Sequence, residues 1–180
     1  KNKMKNIIIT GGLGYIGTEL CKIYSGISWN NKVTVIDNRF VSERVNQLRN
    51  WNIDFVHGDI LDKELVKKYL SKADIVHHLA GITDVPRVKT ESTKEKDDQI
   101  KLVGQEGTQN IIDSVNNNCK IIFPSTHVVF EGIEDVKNNI LENEETKPIL
   151  SYANSKALNE IQLKNSGKNF VILRLGSVYG

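Results

Sequence analysis

Six short runs of β-branched and other apolar residues recur along the chain, and more polar stretches separate them. The runs are nearly continuous in valine and isoleucine instead of alternating with polar residues, which is typical of parallel strands covered on both faces. They predict strands at Asn6–Thr10, Lys32–Asp37, Ile53–Gly58, Ala73–Ala80, Lys120–Thr126 and Phe170–Leu175.

The stretches between these runs have helical periodicity. They predict helices at Tyr15–Gly26, Asp62–Ser71, Gly107–Asn118 and Ser151–Gly167, the last of which closes on a glycine, a common C-terminal stop. Strands that alternate with helices form βαβ units with right-handed crossovers. The pattern therefore predicts an α/β fold in which a doubly wound parallel sheet carries helices on both faces.

Length and charge narrow the class of protein. A chain of 180 residues, 39% of them hydrophobic, is long enough for one domain with a substantial core. The formal net charge is +2 and the lysines are spread out, so the sequence lacks the basic stripe of a nucleic-acid-binding protein. The mixed-charge segment Arg87–Lys101 is expected to be a solvated loop that leads into a helix.

The sequence also bears on location. No apolar run is long enough to span a membrane, and the N-terminus lacks the apolar region of a secretory signal. The two cysteines, Cys21 and Cys119, stand far apart without metal-ligand spacing around them. We therefore expect a reduced, cytoplasmic protein with no membrane segment and no metal site.

Three glycines at three-residue spacing, Gly11, Gly14 and Gly17, lie between the first predicted strand and the first predicted helix. In a doubly wound sheet this turn is where the pyrophosphate of a dinucleotide binds. Glycine permits the tight turn and the close approach of backbone to phosphate, and the first helix amides then point at the anion. An ordinary glycine-rich βα turn is the alternative interpretation.

An acidic residue, Asp37, ends the second predicted strand, twenty residues after Gly17. A carboxylate there accepts hydrogen bonds from the adenosine ribose hydroxyls and repels a 2′-phosphate, so the pattern favours NAD over NADP. Arg39, two residues further on, is able to pair with a 2′-phosphate, and it leaves this preference open.

The stretch TGGLGYIG resembles the cofactor signature of the extended short-chain dehydrogenase/reductase superfamily, and in particular of its NAD-dependent nucleotide-sugar epimerases and dehydratases. Further stretches follow in that family's order: VIDN, HGDILD, HHLAG, FPSTHVVFEG, YANSK and LRLGSVYG. The resemblance implies a Rossmann fold that binds NAD. It also implies cofactor contacts from Gly11, Gly14, Tyr15, Ile16, Gly17, Asp37, Asn38, Asp59, Ile60, Leu79, Ala80, Gly81, Ser125, Tyr152 and Lys156.

The stretch YANSK places Tyr152 and Lys156 four residues apart, so both project from one face of a helix. A free tyrosine, with a pKa of about 10, is a poor base at neutral pH. A lysine ammonium beside it, with a positive nicotinamide ring nearby, favours the phenolate and lowers that pKa. The resemblance accordingly implies that Tyr152 is the acid/base and that Lys156 supports it, while the cofactor takes or gives hydride.

The third catalytic residue is expected in FPSTHVVFEG. Aligned with the family pattern, Thr126 takes the position of the catalytic Ser/Thr, and Ser125 is the alternate candidate. Dehydratases and decarboxylases of the family carry an acid directly afterwards, where this chain has His127. This difference argues against a dehydratase and leaves 4-epimerases and 4-keto reductases. Substrate contacts are expected from Thr83, Thr126 and Ser177.

The leading interpretation is an NAD-dependent nucleotide-sugar epimerase that acts at C4 of a UDP-sugar through a transient 4-keto intermediate. A reductase, dehydrogenase or dehydratase of the same superfamily comes second, and a non-catalytic dinucleotide-sensing module comes third. The family's chains normally continue into a C-terminal substrate domain after the stretch VYG. Residues 1–180 are therefore expected to form the NAD-binding domain, which carries the Thr/Tyr/Lys set.

A homodimer is also expected, through the helices near residues 99–117 and 151–165. The second of these helices has apolar positions at Ala157, Leu158, Ile161 and Leu163. These side chains could face a partner or cover the sheet, and the sequence leaves both possibilities open.

Overall fold

The computed structural model describes residues 4–27, 30–82, 92–134 and 137–179. In these residues the chain alternates strands with helices. The strands are β1 (Lys5–Thr10), β2 (Asn31–Asp37), β3 (Asp54–His57), β4 (Ile75–His78), β5 (Lys120–Thr126) and β6 (Asn169–Leu175). The helices are α1 (Tyr15–Gly26), α2 (Ser42–Asn50), α3 (Lys63–Leu70), α4 (Lys94–Ser114) and α5 (Ser151–Asn165), with a short 3₁₀ helix at His127–Phe130.

The strands form one sheet in the order β3-β2-β1-β4-β5-β6. Every neighbouring pair is parallel. The strand order reverses between β1 and β4, which is the switch point where ligands bind in open α/β sheets. The predicted doubly wound parallel sheet of Rossmann type is confirmed.

Two layers of core lie on opposite faces of the sheet, because successive side chains of a strand point to opposite sides. Ile8 of β1 packs in the cluster that α3, α4 and α5 cover. Ile7 and Ile9 pack in the cluster that α1 and α2 cover. Burying each such side chain stabilises the fold by about 1.5–3 kcal/mol.

Two helices differ from the sequence prediction. Helix α2 was not predicted, because Val45 and Leu48 are its buried residues and two apolar positions in nine give too weak a periodicity. Helix α4 begins at Lys94, thirteen residues before the predicted start, so the expected loop is wrong for its part from Lys94 to Lys101. The start is fixed by Thr93, whose hydroxyl accepts from the Lys96 amide at 3.3 Å.

Several boundaries also shift. Strand β4 ends at His78, two residues before the predicted end, because the Ala80 amide donates at 3.2 Å to the side-chain hydroxyl of Thr10 and not to a backbone carbonyl of β1. Helix α5 ends at Asn165, and Gly167 lies beyond it with a φ of +67°. Each shift leaves the predicted element in place.

Candidate functional site

The glycine turn joins β1 to α1 beside the end of β4. Gly11 has a φ of +69°, in the left-handed region that favours glycine. A Cβ at this position would lie 2.7 Å from the Ala80 nitrogen, so a side chain cannot fit without moving backbone. The Gly11 amide donates to the Ile36 carbonyl at 2.8 Å, which fixes the turn against β2.

The first turn of α1 packs directly on this turn. A Cβ on Gly17 would lie 2.6 Å from the Gly12 Cα, so the helix approaches the loop backbone closely. Gly14 is the N-cap and has no side chain to occupy the first helix amides, and the first turn has no acidic residue. The partial positive charge at this helix end therefore suits an anion such as a pyrophosphate.

Asp37, at the end of β2, is held against the same turn. Its side chain is 3% exposed, and its Oδ2 accepts from the Leu13 amide at 3.0 Å. Its Oδ1 accepts from the Arg39 amide at 3.0 Å and from the Arg39 Nε at 3.2 Å. The Arg44 guanidinium donates to the Leu13 carbonyl and fixes that residue from the other side. The carboxylate is thus placed rigidly beside the glycine turn.

Asn38, Asp59 and Ile60 come together where β2 and β3 end. The Asn38 side-chain amide donates to Asp59 Oδ2 at 3.1 Å, and Asp59 Oδ1 accepts from the Leu61 amide at 2.9 Å. Ile60 is buried, and its carbonyl accepts from the Asn110 side chain of α4 at 2.9 Å. Three of the predicted cofactor-binding residues therefore share one corner of the sheet.

A buried histidine connects the glycine turn to α4. The Thr10 Oγ1 accepts from the Ala80 amide and lies 2.9 Å from His78 Nδ1, and His78 Nε2 lies 3.0 Å from Thr108 Oγ1. Burial lowers the pKa of His78 to about 3, and the charge of Lys156 adds to this effect. The ring is therefore neutral at pH 7, and one of its nitrogens donates to a threonine hydroxyl while the other accepts from the second threonine hydroxyl.

Other residues predicted to contact the cofactor lie directly after β4 and in the first turn of α1. Leu79 and Gly81 follow β4, and Tyr15 and Ile16 form the first turn of α1 with 54% and 39% of their surface exposed. Thr83, one of the predicted substrate contacts, lies outside the described residues. Ser177, another, lies in the exposed segment after β6.

Tyr152 and Lys156 lie on α5, as predicted. The Lys156 Nζ donates to the Pro124 carbonyl of β5 at 2.9 Å and stands 4.5 Å from the centre of the Phe123 ring. The same Nζ is 5.9 Å from the centre of the Tyr152 ring. The hydrogen bond from Lys156 to β5 therefore ties the helix that carries Tyr152 to the carboxyl end of the sheet.

Burial opposes the charged forms of both side chains. It lowers the pKa of Lys156 to about 8 and raises the pKa of Tyr152. We expected Lys156 and a bound nicotinamide ring together to lower the pKa of Tyr152. With the protein's own groups alone the pKa of Tyr152 is raised instead, because burial removes water from the phenol group.

The two hydroxyls at the end of β5 have different partners. Ser125 is buried and donates to Glu160 Oε1 at 2.7 Å. Thr126 Oγ1 accepts from the Val128 amide at 3.3 Å, as N-cap of the 3₁₀ helix, and this contact does not use its proton. The proton of Ser125 is therefore committed to Glu160, whereas the contact with Val128 leaves the proton of Thr126 for another acceptor.

The sequence interpretation missed a buried ion pair under this site. Glu160 is 1% exposed, and it receives Arg174 Nε at 3.0 Å on Oε1 and Arg174 Nη2 at 2.7 Å on Oε2. Burial alone would raise the pKa of Glu160, but hydrogen bonds from Arg174 and Ser125 lower it. Glu160 follows Lys156 by one helical turn, so the spacing of Tyr152, Lys156 and Glu160 was the available signal.

The residues after Thr126 bind backbone. His127 Nδ1 lies 3.1 Å from the Leu175 carbonyl at the end of β6. Glu131 Oε1 accepts from the Ile149 and Leu150 amides, each at 2.7 Å, directly before α5. The first carboxylate after Thr126 in the sequence thus caps the segment that leads into α5.

These parts lie along one edge of the sheet, at the carboxyl ends of β1, β2, β4 and β5. Across residues 4–27, 30–82, 92–134 and 137–179, no group of three or more His, Cys, Asp or Glu side chains is placed to hold a metal ion. None of the helices in the same residues combines the length and the hydrophobicity of a membrane span.

The strand order, the glycine turn and the Tyr152/Lys156 pair define an extended short-chain dehydrogenase/reductase domain. A sequence model of the 3-beta hydroxysteroid dehydrogenase/isomerase family matches residues 8–178, and the chain belongs to this family. The dTDP-D-glucose 4,6-dehydratase of Dictyostelium discoideum is 31% identical in an alignment 198 residues long. The alignment covers 98% of this chain and 44% of that protein.

Solved structures of similar fold include two sugar-nucleotide epimerases. The UDP-N-acetylglucosamine 4-epimerase of Methanobrevibacter ruminantium M1, in complex with UDP-N-acetylmuramic acid, is 30% identical with a TM-score of 0.78, over 96% of this chain and 55% of that one. The UDP-glucuronic acid 4-epimerase of Bacillus cereus, in complex with UDP-glucuronic acid and NAD, is 26% identical with a TM-score of 0.79, over 97% and 57%. The chain spans about half the length of these relatives.

Proposed function

We propose that the chain is the cofactor-binding and catalytic part of an NAD-dependent nucleotide-sugar epimerase, which inverts C4 of a UDP-sugar. The observation that carries the proposal is the single sheet edge that holds both the glycine turn and the Tyr152/Lys156 pair. The two epimerases named above support the substrate class, because both were solved in complex with UDP-sugars.

The residues present fit NAD as the resident cofactor. The close contacts at Gly11 and Gly17 admit no side chain at either position, and Gly14 exposes the first amides of α1 to a pyrophosphate. Asp37 supplies a fixed acceptor for ribose hydroxyls. When bound, NAD would supply a reversible hydride acceptor.

In this proposal the chain's own groups move one proton and orient one hydroxyl. The Tyr152 oxygen takes the proton of the C4 hydroxyl during oxidation. It returns the proton after the keto sugar has rotated to present its other face to the cofactor. Lys156, whose pKa of about 8 keeps it charged at pH 7, favours the phenolate form of Tyr152. The Thr126 hydroxyl donates to the reacting oxygen and holds it near Tyr152.

Epimerisation is favoured over dehydration by the residues that follow Thr126. The elimination of water in the family's dehydratases uses an acid at this point, and residues 127–130 of this chain are His, Val, Val and Phe. Glu131, the next carboxylate, accepts from two backbone amides. These contacts leave the proposed site without a carboxylate from this segment.

The first experiment denatures the purified chain and identifies any released nucleotide by mass spectrometry. We expect stoichiometric NAD or NADH, because an epimerase has no need to exchange its cofactor. A UDP-glucose or UDP-galactose incubation, followed by NMR, is expected to show interconversion without net NADH formation at 340 nm. Net NADH formation with a hydroxysteroid or a sugar nucleotide would replace the epimerase by a dehydrogenase.

The substitution Tyr152→Phe tests the catalytic assignment. We expect turnover to fall by at least about 100-fold, because the proton acceptor is lost, while NAD content stays unchanged. Tyr69→Phe, on α3, is the matched control and should retain full activity. Undiminished turnover in the Tyr152→Phe chain would overturn the role of Tyr152 as the proton acceptor. NAD binding without any turnover in the wild-type chain would favour the non-catalytic sensing module.

We also propose that the chain forms a homodimer through α4 and α5. The four apolar positions of α5 divide between two roles: Ala157 and Leu163 are 8% and 0% exposed, whereas Leu158 and Ile161 are 43% and 51% exposed. Leu102 of α4 is also 43% exposed. These exposed side chains supply an apolar surface on the two helices expected to pair.

A further inference from the structure

The carboxylate proposed to bind the adenosine ribose is already paired with a guanidinium. Arg39 Nε lies 3.2 Å from Asp37 Oδ1, and Arg39 Nη2 lies 3.4 Å from Asp37 Oδ2. This is the side-by-side, two-bond geometry in which arginine binds carboxylates and phosphates most strongly. A ribose that donates to Asp37 therefore has to take over positions that Arg39 occupies.

The two partners differ in their freedom to move. The Asp37 side chain is 3% exposed and is held by two backbone amides, those of Leu13 and Arg39. The Arg39 side chain is 56% exposed. When a ligand competes for the pair, the arginine is therefore the group that turns away, and the carboxylate stays.

The arginine also reaches toward the helix end that would bind the pyrophosphate. Its Nη2 lies 3.8 Å from the point where a Cβ on Gly14 would stand. Gly14 is the N-cap of α1. The guanidinium thus bridges the gap between the end of β2 and the start of α1, where the adenosine ribose of a dinucleotide would lie.

This position has different consequences for the two nicotinamide dinucleotides. A ribose with free hydroxyls donates to Asp37 and displaces Arg39. A ribose with a 2′-phosphate meets repulsion from Asp37, but the displaced guanidinium is close enough to pair with the phosphate. Arg39 therefore offsets the discrimination that Asp37 alone would impose.

We propose that Arg39 is the specificity-determining residue of the cofactor site and that it makes the site accept NADP(H) as well as NAD(H). The proposal rests on the proposed function only in taking a nicotinamide dinucleotide as the ligand. The carboxylate sets the preference for a free ribose, and the arginine limits how strong that preference becomes.

Calorimetric titration with NADH and with NADPH, at fixed low salt, tests this on the full chain after its resident nucleotide has been removed. We expect the two dissociation constants to lie within about tenfold of each other. In the Arg39→Ala chain, NADPH binding should weaken tenfold or more while NADH binding changes by less than threefold. Arg39→Lys, which keeps the charge without the fork, should give an intermediate ratio.

Arg49→Ala is the matched control, because it removes the same charge from the last turn of α2 and should leave both constants unchanged. Two results would overturn the role of Arg39 and leave the proposed function standing. One is a ratio of the NADPH and NADH dissociation constants that Arg39→Ala changes by less than threefold, and the other is a wild-type chain that binds NADH and rejects NADPH. If neither dinucleotide binds, the cofactor role of the glycine turn falls, and the role of Arg39 falls with it.

Discussion

Two neighbouring histidines at the end of β4 are kept neutral by burial, although both adjoin groups that could share a proton. Burial lowers the pKa of His77 to about 4 and that of His78 to about 3. His77 Nε2 lies 2.8 Å from the Tyr24 hydroxyl of α1, and its ring meets the tyrosine edge-on. Histidine side chains often serve as metal ligands or bases. Here the two rings serve as fixed hydrogen-bonding groups of the core.

The pKa of His77 predicts a pH dependence of stability. Between pH 6.5 and about 4 the unfolded chain binds a proton that folded His77 does not, so stability falls as the pH falls through this window. The contribution is about 1.4 kcal/mol per pH unit. Urea unfolding at pH 6.5 and 4.5 should show a smaller loss for His77→Gln than for the wild type.

One result would contradict the expected pH dependence of stability. If His77→Gln, which can keep the hydrogen bond to Tyr24, loses as much stability over this range as the wild type, His77 is not excluded from protonation in the folded state. His127→Gln, at an exposed position, serves as the comparison for the substitution itself.

At the scale of elements, α5 is attached to both of its neighbouring layers by polar contacts. Lys156 and Glu160 reach β5 and β6, through Pro124, Ser125 and Arg174. On the other side, the Asn159 side chain donates to the Gly104 carbonyl of α4 at 2.9 Å. The helix that carries Tyr152 is therefore fixed in position along its axis as well as packed.

The Glu160–Arg174 pair should be the most sensitive of these attachments. Glu160→Gln leaves a largely buried guanidinium without its carboxylate, and we expect it to lower the free energy of unfolding by about 3 kcal/mol. Equilibrium urea unfolding measures this loss. Lys164→Met removes the other cation near Glu160, at 3.6 Å but 53% exposed, and should cost less than about 1 kcal/mol.

A double variant separates the pair from its surroundings. Glu160→Gln and Arg174→Met remove one shared interaction. The double variant should therefore lose clearly less free energy of unfolding than the two single variants lose together. Additive losses would mean that each residue stabilises the fold through separate contacts.

The elements differ in how far the sequence predicts them. The strands were predicted because a buried parallel strand is nearly all apolar, and the glycine turn and Asp37 were predicted because their spacing is local. Helix α2 and the first half of α4 were missed because polar residues dominate them. The Glu160–Arg174 pair joins positions fourteen residues apart on a helix and a strand. Such contacts depend on how elements pack, and local patterns do not contain that information.

At the scale of the whole molecule, the proposed dimer has a simple test. Leu158→Glu combined with Ile161→Glu places two charges on the exposed face of α5 and should convert a dimer to a monomer, as measured by sedimentation velocity. Ile23→Glu, on α1 and 58% exposed, is the matched control on another surface. Should the wild-type chain sediment as a monomer across a concentration series, the dimer proposal fails.

The contacts of Glu131 have a further consequence for how this scaffold can change. Two amides at Ile149 and Leu150 close on its carboxylate, and the Lys147 amide donates to the Val129 carbonyl at 2.8 Å. The segment between Glu131 and α5 is therefore fastened at its base. Lengthening a loop whose ends are fixed costs only about 0.6 kcal/mol per doubling. Insertions or exchanges in residues 138–141, before the Glu142 carbonyl that accepts from Arg174, can thus vary this surface while Tyr152 and Lys156 keep their places.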